Sequence, residues 1–455
     1  MAAYRREVRQ LIACVKTTES AADTLQVTTE HMSDTPAVAP DTIWSRLAAI
    51  GLVGTLLLLP FEVGWVLDSV AGTAAAYNRV VIVTPFDFML LLLVIGAIPG
   101  LVERIRAHLT MGVITAAVLL AGGALAFVFH PSERGIMVML RLIALFILVL
   151  QMVSLTEEQF RARVAIPLMA TASLQTLLGF AQMVKGSPLG LGGWGEQPEL
   201  RAFGDAFGAS GTTLSPYILA GLGVLAATVG LATLPLDRRR PWWLAGIGLS
   251  FAALAITYSR ASLVGVVVIF AALFVGSLRS RPDLRAPLAV MVLALVLPAL
   301  VFNDGWVTRA EDSATTDVDD FTTFRITHIE QSFTLIADQP VVGVGPGLYS
   351  YTLERDHDPE LDDAVHVVPL LVAAEDGLPI GILFTLLLIF LAIRALRTSP
   401  EAIAVVAGFG TFLLFDKFAY LHPNGMVMLA VWLATIDRLT TPTRADQPLK
   451  ADATQ

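Results

Sequence analysis

Long apolar segments recur along most of this chain, each bounded by charged residues, proline or glycine. A helix that crosses a bilayer needs about 20 mostly apolar residues. The chain is 55% hydrophobic and only 15% charged, above the apolar share and below the charged share of soluble domains. Lipid requires every backbone polar group to be paired within the protein, which favours helices. The sequence therefore predicts an all-α integral membrane protein with about 12 transmembrane helices.

The predicted spans share an apolar length near that limit and have soft edges. They are residues 43–60, 86–102, 109–130, 135–155, 164–184, 213–234, 242–258, 261–278, 286–302, 367–396, 402–420 and 425–439. No internal repeat of the kind seen in the inverted halves of many transporters is visible.

The orientation follows from arginine and lysine, which are retained in cytoplasmic loops. Every second loop is basic: 103–106, 161–163, 237–240, 279–285 and 394–397. Both termini are therefore predicted to be cytoplasmic. One long extracytoplasmic loop, 303–366, then lies between spans nine and ten, and a glycine-rich outer loop occupies 185–212. Long polar loops in a compact protein are usually functional or disordered, so function is expected in these two.

The ends of the chain read as tails around a transmembrane domain of residues 43–440. Residues 1–42 are rich in Thr, Ser, Asp, Ala and Pro and predict a disordered cytoplasmic tail, within which Met32 is an alternative start. Residues 441–455 form a second cytoplasmic tail. Cys14 is the single cysteine, which excludes an intrachain disulfide, and its upstream residues lack the apolar core of a lipoprotein signal.

Charge and histidine spacing exclude two classes of site. The net charge is −9, much of it within 304–320 and 354–363, and no basic patch indicates nucleic-acid binding. His328, His357 and His366 have acidic neighbours and could bind a metal, but no ligand spacing among them is diagnostic of a metal site. We therefore predict neither a metal nor a cofactor, and take His357, between Asp356 and Asp358, as a solvated residue.

Two residues at the outer surface carry candidate chemistry. Arg260, in the turn TYSRAS (257–262), could bind phosphate oxygens bidentately, or extend to lipid headgroups. His366, at the mouth of the tenth span, could act as a neutral base near physiological pH, or be a surface histidine with no task. His328 falls on a predicted amphipathic helix at 324–335 and is similarly ambiguous.

A glycine and proline cluster, DQPVVGVGPG (338–347), follows this amphipathic segment. It predicts a turn with little Cβ bulk, suited to close backbone approach by a ligand. It is not a phosphate loop, since the Lys-Ser/Thr ending and the preceding strand are missing.

Taken together, these motifs resemble the O-antigen ligase and polymerase superfamily of bacterial membrane glycosyltransferases. The resemblance extends over most of 43–439 and rests on Ser259-Arg260, on Arg325 followed by 338–347, on His366, and on EDGL (375–378). A weaker match is RAFG (201–204). Two departures stand out: Val367 follows His366 where the family often has Asn, and Gly381 is one residue further from Gly377 than usual.

The resemblance implies transfer of a glycan from a polyprenyl diphosphate carrier to an acceptor hydroxyl, at the outer face of the cytoplasmic membrane. The partners would be that lipid-linked donor, a glycan, lipid or protein acceptor, and membrane lipids. Arg260, Arg325 and Arg201 would neutralise the diphosphate, and His366 would take the acceptor's proton. Ligase, polymerase and protein glycosylation remain open.

A transporter or flippase of a lipid-linked sugar is the alternative from another class. Such proteins usually carry ionisable residues deep in several spans. Here Arg141 stands nearly alone inside the predicted fourth span, where it could line the same cavity or pair with a carbonyl or with Glu133. The collection of polar chemistry in one outer loop favours the enzyme.

Overall fold

The computed structural model describes residues 42–61, 63, 65–68, 81–203, 206–235, 239–279, 281–315, 318–356 and 364–441. The predictions for the N-terminal tail to residue 41, for the C-terminal tail beyond residue 441 and for His357 lie outside the described residues. The chain separates into residues 1–46, of which only 42–46 are described, and a compact unit of residues 47–455. Apart from the first four residues of α1, everything below concerns this second unit.

Helices alternate with two short hairpins in the first part of the chain. In order they are α1 (Ile43–Leu58), β1 (Trp65–Asp68), β2 (Val81–Val83), α2 (Pro85–Ala97), α3 (Leu101–Ala107), α4 (Met111–Phe129), α5 (Glu133–Val153), α6 (Glu157–Phe160), a π-helix (Arg161–Ala165), α7 (Ile166–Lys185), β3 (Arg201–Phe203) and β4 (Ala206–Gly208). Each hairpin is antiparallel and two-stranded. Neither hairpin was predicted from the sequence.

The second part is helical where the structure describes it. Its helices are α8 (Pro216–Ala232), α9 (Arg240–Thr257), α10 (Arg260–Arg279), α11 (Arg285–Val301), α12 (Asn303–Thr315), α13 (Val318–Asp338), α14 (Tyr349–Asp356), α15 (Val368–Asp376), α16 (Leu378–Thr398), α17 (Pro400–Phe415), α18 (Phe418–Leu421) and α19 (Pro423–Thr440).

A helix occupies each predicted span, but fewer of the described helices than predicted are long and apolar enough to cross a membrane. Within the described residues six helices are long and apolar enough to cross a membrane, or seven if the bent pair α2 and α3 counts as one span. The chain is thus a multi-pass membrane protein of helical class. The count of about 12 crossings stays a prediction.

The predicted tenth span was wrong in one respect, because 367–396 is not one helix. Gly377 separates α15 from α16 with a φ of 95°. Only glycine adopts this left-handed region without strain, so the helix ends there and restarts at Leu378. The break lies eleven residues after His366 and shapes the site.

Two helices form the centre of the unit. Nearly every residue of α8 and of α19 is buried, as expected for helices that are surrounded by other helices. By contrast, α11 buries only Pro287 and Met291, so its apolar side chains remain for lipid. Ser215 caps α8 by accepting from the Ile218 amide, and Pro216 holds its first position, both typical of helix starts.

The long segment 303–366 contains three helices, α12, α13 and α14, in the part that is described. The predicted amphipathic helix at 324–335 lies within α13. The described part of this segment is therefore folded, and the side of the membrane on which it lies stays a prediction.

Candidate functional site

Arg260 is presented by a strained turn between α9 and α10. Tyr258 has a φ of 50° and is the one non-glycine residue with positive φ among the described residues. This left-handed residue ends α9, and Arg260 begins α10 two residues later. The Ser262 hydroxyl donates to the Ser259 carbonyl at 2.6 Å, which fixes the first turn of α10. Arg260 therefore stands at a defined helix start.

The start of the segment 303–366 packs on the same turn. The Tyr258 hydroxyl donates to the Phe302 carbonyl at 3.2 Å, and its ring meets the Trp306 ring edge-on at 5.3 Å between centroids. The Trp306 indole N–H donates to the Ala255 carbonyl at 3.0 Å. A Cβ at Gly305 would overlap the Tyr258 ring. These contacts tie the start of α12 to the turn that presents Arg260.

Arg201 lies on the hairpin β3–β4, which is anchored to α7 and α9. Gln182 of α7 accepts from the amides of Ser210 and Gly211 at 3.1 and 2.9 Å. The Ala209 amide donates to the Ile256 carbonyl at 2.9 Å, at the end of α9 beside the Arg260 turn. The Arg201 guanidinium lies over the Tyr217 ring, 4.9 Å from its centroid, a cation–π contact.

His328 and Arg325 occupy adjacent turns of α13, three residues apart and thus on one face. His328 is 1% exposed. Its carbonyl accepts from the hydroxyls of Ser332 at 2.7 Å and Tyr349 at 3.2 Å. This face of α13 is thereby fixed against α14.

His366 lies two residues before α15 and beside His328, with 6.4 Å between the ring centroids. Burial lowers the pKa of His366 to about 4, and the charges of Arg325, His328 and Arg201 act in the same direction. Each positive neighbour disfavours the imidazolium. His366 is therefore neutral at physiological pH and able to accept a proton.

Arg325 links this histidine to Arg260. Burial lowers the pKa of Arg325, and the charge of Arg260 lowers it further, while Asp416 and Tyr217 oppose the change. Of the four residues predicted from the sequence, Arg201 and Arg325 thus lie within electrostatic range of His366, and Arg260 lies within range of Arg325. Together with His328 we call them the arginine–histidine cluster.

Asp416 belongs to the site but was not found from the sequence. It follows α17, accepts the Phe418 amide at 3.0 Å on Oδ1, and interacts electrostatically with Arg325 and Arg201. Nothing in its local sequence, FDKF, distinguishes it from any acidic residue at a helix end. Its one signal would have been that a cluster of arginines needs a counter-charge.

The glycine cluster 338–347 serves a different purpose from the one expected. Its backbone approaches α15 rather than open space: the Val344 amide donates to the Ala374 carbonyl at 2.9 Å and the Gly345 amide to Glu375 at 3.0 Å. A Cβ at Gly343 would overlap the Glu375 carbonyl, and one at Gly377 would overlap the Val341 carbonyl. The close approach predicted for a ligand is an approach of two segments of this chain.

The EDGL motif supplies the acid that completes this contact. The Glu375 carboxylate accepts from the Gly347 amide at 2.9 Å and from the Tyr349 amide at 3.3 Å. Asp376 accepts from the Tyr420 hydroxyl at 2.9 Å. Both acids are buried. Their hydrogen bonds fix the positions of the turn 338–347 and of α15, and thereby the position of the segment that contains His366.

Arg141 pairs with Asp87 of α2. Its Nη2 lies 3.3 Å from Asp87 Oδ2, and the side chains are 13% and 14% exposed. Asp87 also accepts from the Thr84 amide and hydroxyl, both at 2.8 Å. Arg141 therefore has a structural partner at the start of α2. Within the described residues, no three His, Cys, Asp or Glu side chains form a group that could hold a metal ion.

Residues 245–385 match the sequence model of the family described as O-antigen ligase. The matched stretch runs from within α9 to within α16 and contains Arg260, Arg325 and His366, whereas Arg201 precedes it. No curated protein matches the chain. The match confirms the resemblance to the O-antigen ligase superfamily and supports glycan transfer of the ligase type at a general level.

Proposed function

We propose that this protein transfers a glycan from a polyprenyl diphosphate carrier to an acceptor hydroxyl at the outer face of the cytoplasmic membrane. The observation that carries the proposal is the arginine–histidine cluster, four of whose five members lie within the region that matches O-antigen ligase. A neutral base among several arginines suits a reaction in which a hydroxyl loses a proton while an anionic group departs.

The arginines would hold the diphosphate. Arg325 is half-buried. Burial is the main cause of its lowered pKa, and the nearby charge of Arg260 acts in the same direction. Two cations so placed repel one another until an anion enters between them, so diphosphate binding relieves an unfavourable charge. A guanidinium also pairs with phosphate oxygens in a bidentate fashion.

His366 would act as general base. The acceptor oxygen attacks the anomeric carbon of the donor sugar, the bond from that carbon to the phosphate oxygen breaks, and its electron pair leaves with the polyprenyl diphosphate. The hydroxyl proton passes to the neutral imidazole of His366. The bound diphosphate raises the pKa of His366 above its value in the empty site, since a nearby negative charge favours the imidazolium.

The test is transfer from a lipid-linked donor by the full-length protein in detergent micelles, where no compartments exist. His366→Ala should lower the rate by about 10² to 10⁴, the usual contribution of such a base. His108→Ala is the matched control, because His108 lies between α3 and α4 in a different part of the chain.

Two outcomes would contradict the proposal. If the His366→Ala protein is active, His366 is not the general base. If wild-type protein transfers no glycan in micelles but moves the donor across the bilayer of vesicles, the protein is a flippase.

A further inference from the structure

A cavity of about 330 Å³ opens between the π-helix, the end of α8 and the start of α9. It is lined by Glu158, Arg161, Ala162 and Ile166 on one side and by Pro235, Arg239 and Trp243 on the other, at two of the basic connections predicted to be cytoplasmic. Arg260 follows the opposite end of α9, whose 18 residues span roughly 27 Å. The cavity is therefore separate from the arginine–histidine cluster.

Two arginines from different connections line the cavity, Arg161 and Arg239. Arg161 Nε donates to the Thr233 carbonyl at 3.0 Å, and its Nη2 lies 3.4 Å from a Glu157 oxygen. Its side chain is nevertheless 36% exposed. The guanidinium is thus held in one orientation while part of it still faces the cavity, which lowers the entropic cost of binding an anion.

The remaining wall is apolar. Trp243 is 5% exposed, and its indole N–H donates to the Gly230 carbonyl at 2.7 Å, so the ring contributes only apolar surface. Pro235 lines the cavity, as does Ile166, which is 45% exposed. A cation-lined cavity with an apolar wall and a tryptophan suits an amphiphile at a membrane interface better than a fully hydrated anion.

The π-helix Arg161–Ala165 places these groups. Helices of this type are rare and often mark functional sites. Here the π-helix brings Arg161 and Ala162 to the cavity, and Glu158 joins them from the preceding turn. Two arginines and one glutamate give the lining a net positive charge, with an acceptor for hydroxyl groups beside the cations.

We propose that this cavity binds the headgroup of an anionic phospholipid of the cytoplasmic leaflet. The phosphodiester lies between Arg161 and Arg239, glycerol hydroxyls donate to Glu158, and the first part of the acyl chains lies along Ile166 and Trp243. The inference does not depend on the transfer reaction, because the cavity and the arginine–histidine cluster share no residue.

The test is native mass spectrometry of the full-length protein in a neutral detergent, titrated with phosphatidylglycerol, phosphatidylethanolamine or phosphatidylcholine. Wild-type protein should retain phosphatidylglycerol in preference to the other two. Arg161→Gln and Arg239→Gln should each weaken this binding by about tenfold, the value of one charged hydrogen bond. Arg279→Gln, an exposed arginine at the end of α10, is the control and should bind as wild type.

Ala162→Phe separates occupancy from folding, because it fills the cavity and leaves the bond from Arg161 to Thr233 in place. This variant should also lose the lipid while keeping its thermal unfolding midpoint. The proposal is overturned if all three cavity variants bind as wild type, or if the zwitterionic lipids bind as tightly as phosphatidylglycerol. Displacement by millimolar inorganic phosphate would also overturn it and would indicate a site for a free anion.

Discussion

His366 has its basicity set by its neighbours. Burial, and then the charges of Arg325, His328 and Arg201, bring its pKa to about 4 from an ordinary 6.5. Because the pKa of the folded state is the lower one, the unfolded chain binds more protons than the folded chain between about pH 4 and pH 6.5. The stability contributed by neutral His366 is therefore present above pH 6.5 and is lost as the pH falls through 4.

The pH dependence of transfer should follow this group. We expect kcat/KM to fall on the acid side with a midpoint near 4, since that parameter reports the free enzyme. His328→Phe keeps an aromatic ring and removes one positive neighbour, so the midpoint should move upward. The measurement is the pH profile of kcat/KM in both proteins. An unmoved or lowered midpoint would show that His328 does not act on His366.

Arg260 should not tolerate lysine. A guanidinium offers a planar pair of donors, whereas an ammonium is a point charge. Arg260→Lys should therefore lose most glycan transfer, by about tenfold or more, while the protein still inserts and accumulates. Arg279→Lys at the other end of α10 is the matched control. Near-normal transfer by Arg260→Lys would reduce Arg260 to an anchor for lipid headgroups.

At the scale of elements, the junction of α15 and α16 positions the site. Segment 338–347 is bonded to α15 through the amides of Val344 and Gly345, and the carboxylate of Glu375 holds the start of α14. Both elements adjoin residues of the cluster, since α14 contacts His328 through Tyr349 and α15 follows His366. A substitution at this junction should therefore lower glycan transfer although the substituted residue does not belong to the arginine–histidine cluster.

Gly343→Ala tests this junction. Gly343 has a φ of 67°, and a Cβ there would overlap the Glu375 carbonyl, so the substitution combines backbone strain with a clash. We expect the free energy of unfolding to fall by about 1–3 kcal/mol, together with a loss of transfer, measured by thermal unfolding in detergent and by activity.

Gly193→Ala is the control for Gly343→Ala. Gly193 has open space around its Cβ position, so its substitution should change the unfolding free energy by about 0.5 kcal/mol or less. Equal effects of the two substitutions would contradict the close contact at Gly343.

Part of this architecture was predictable and part was not. Apolar length located a helix at every predicted span, because a hydrophobic run is a local property. The break at Gly377 was missed, because its cause, the Val341 carbonyl, lies 36 residues earlier in the chain. Arg260 and His366 were candidates from their positions, and Arg201 and Arg325 from a resemblance. Asp416 was not found, because its role depends on arginines that only the fold brings near it.

At the scale of the whole molecule, the alternation of basic and less basic loops predicts two chemically different ends. The arginine–histidine cluster lies at one end of α9 and the arginine-lined cavity at the other. Both sites bind negative groups in the proposals above, so their assignment to opposite membrane surfaces depends on the orientation of the chain.

Cysteine labelling tests that orientation. With Cys14 replaced by Ser, Glu311→Cys on α12 should react with an impermeant thiol reagent in intact cells, and Arg106→Cys on α3 should react only after lysis. Both positions are exposed, so accessibility within the protein does not distinguish them. The reverse pattern would invert the topology.

The bonds from Glu375 also have a consequence for the order of synthesis. Glu375 caps α14 from 26 residues further along the chain, and a helix of 8 residues is too short to be stable alone. During synthesis the residues of α14 leave the ribosome before Glu375, which holds the start of this helix. We therefore expect α14 to become stable only after α15 has been synthesised.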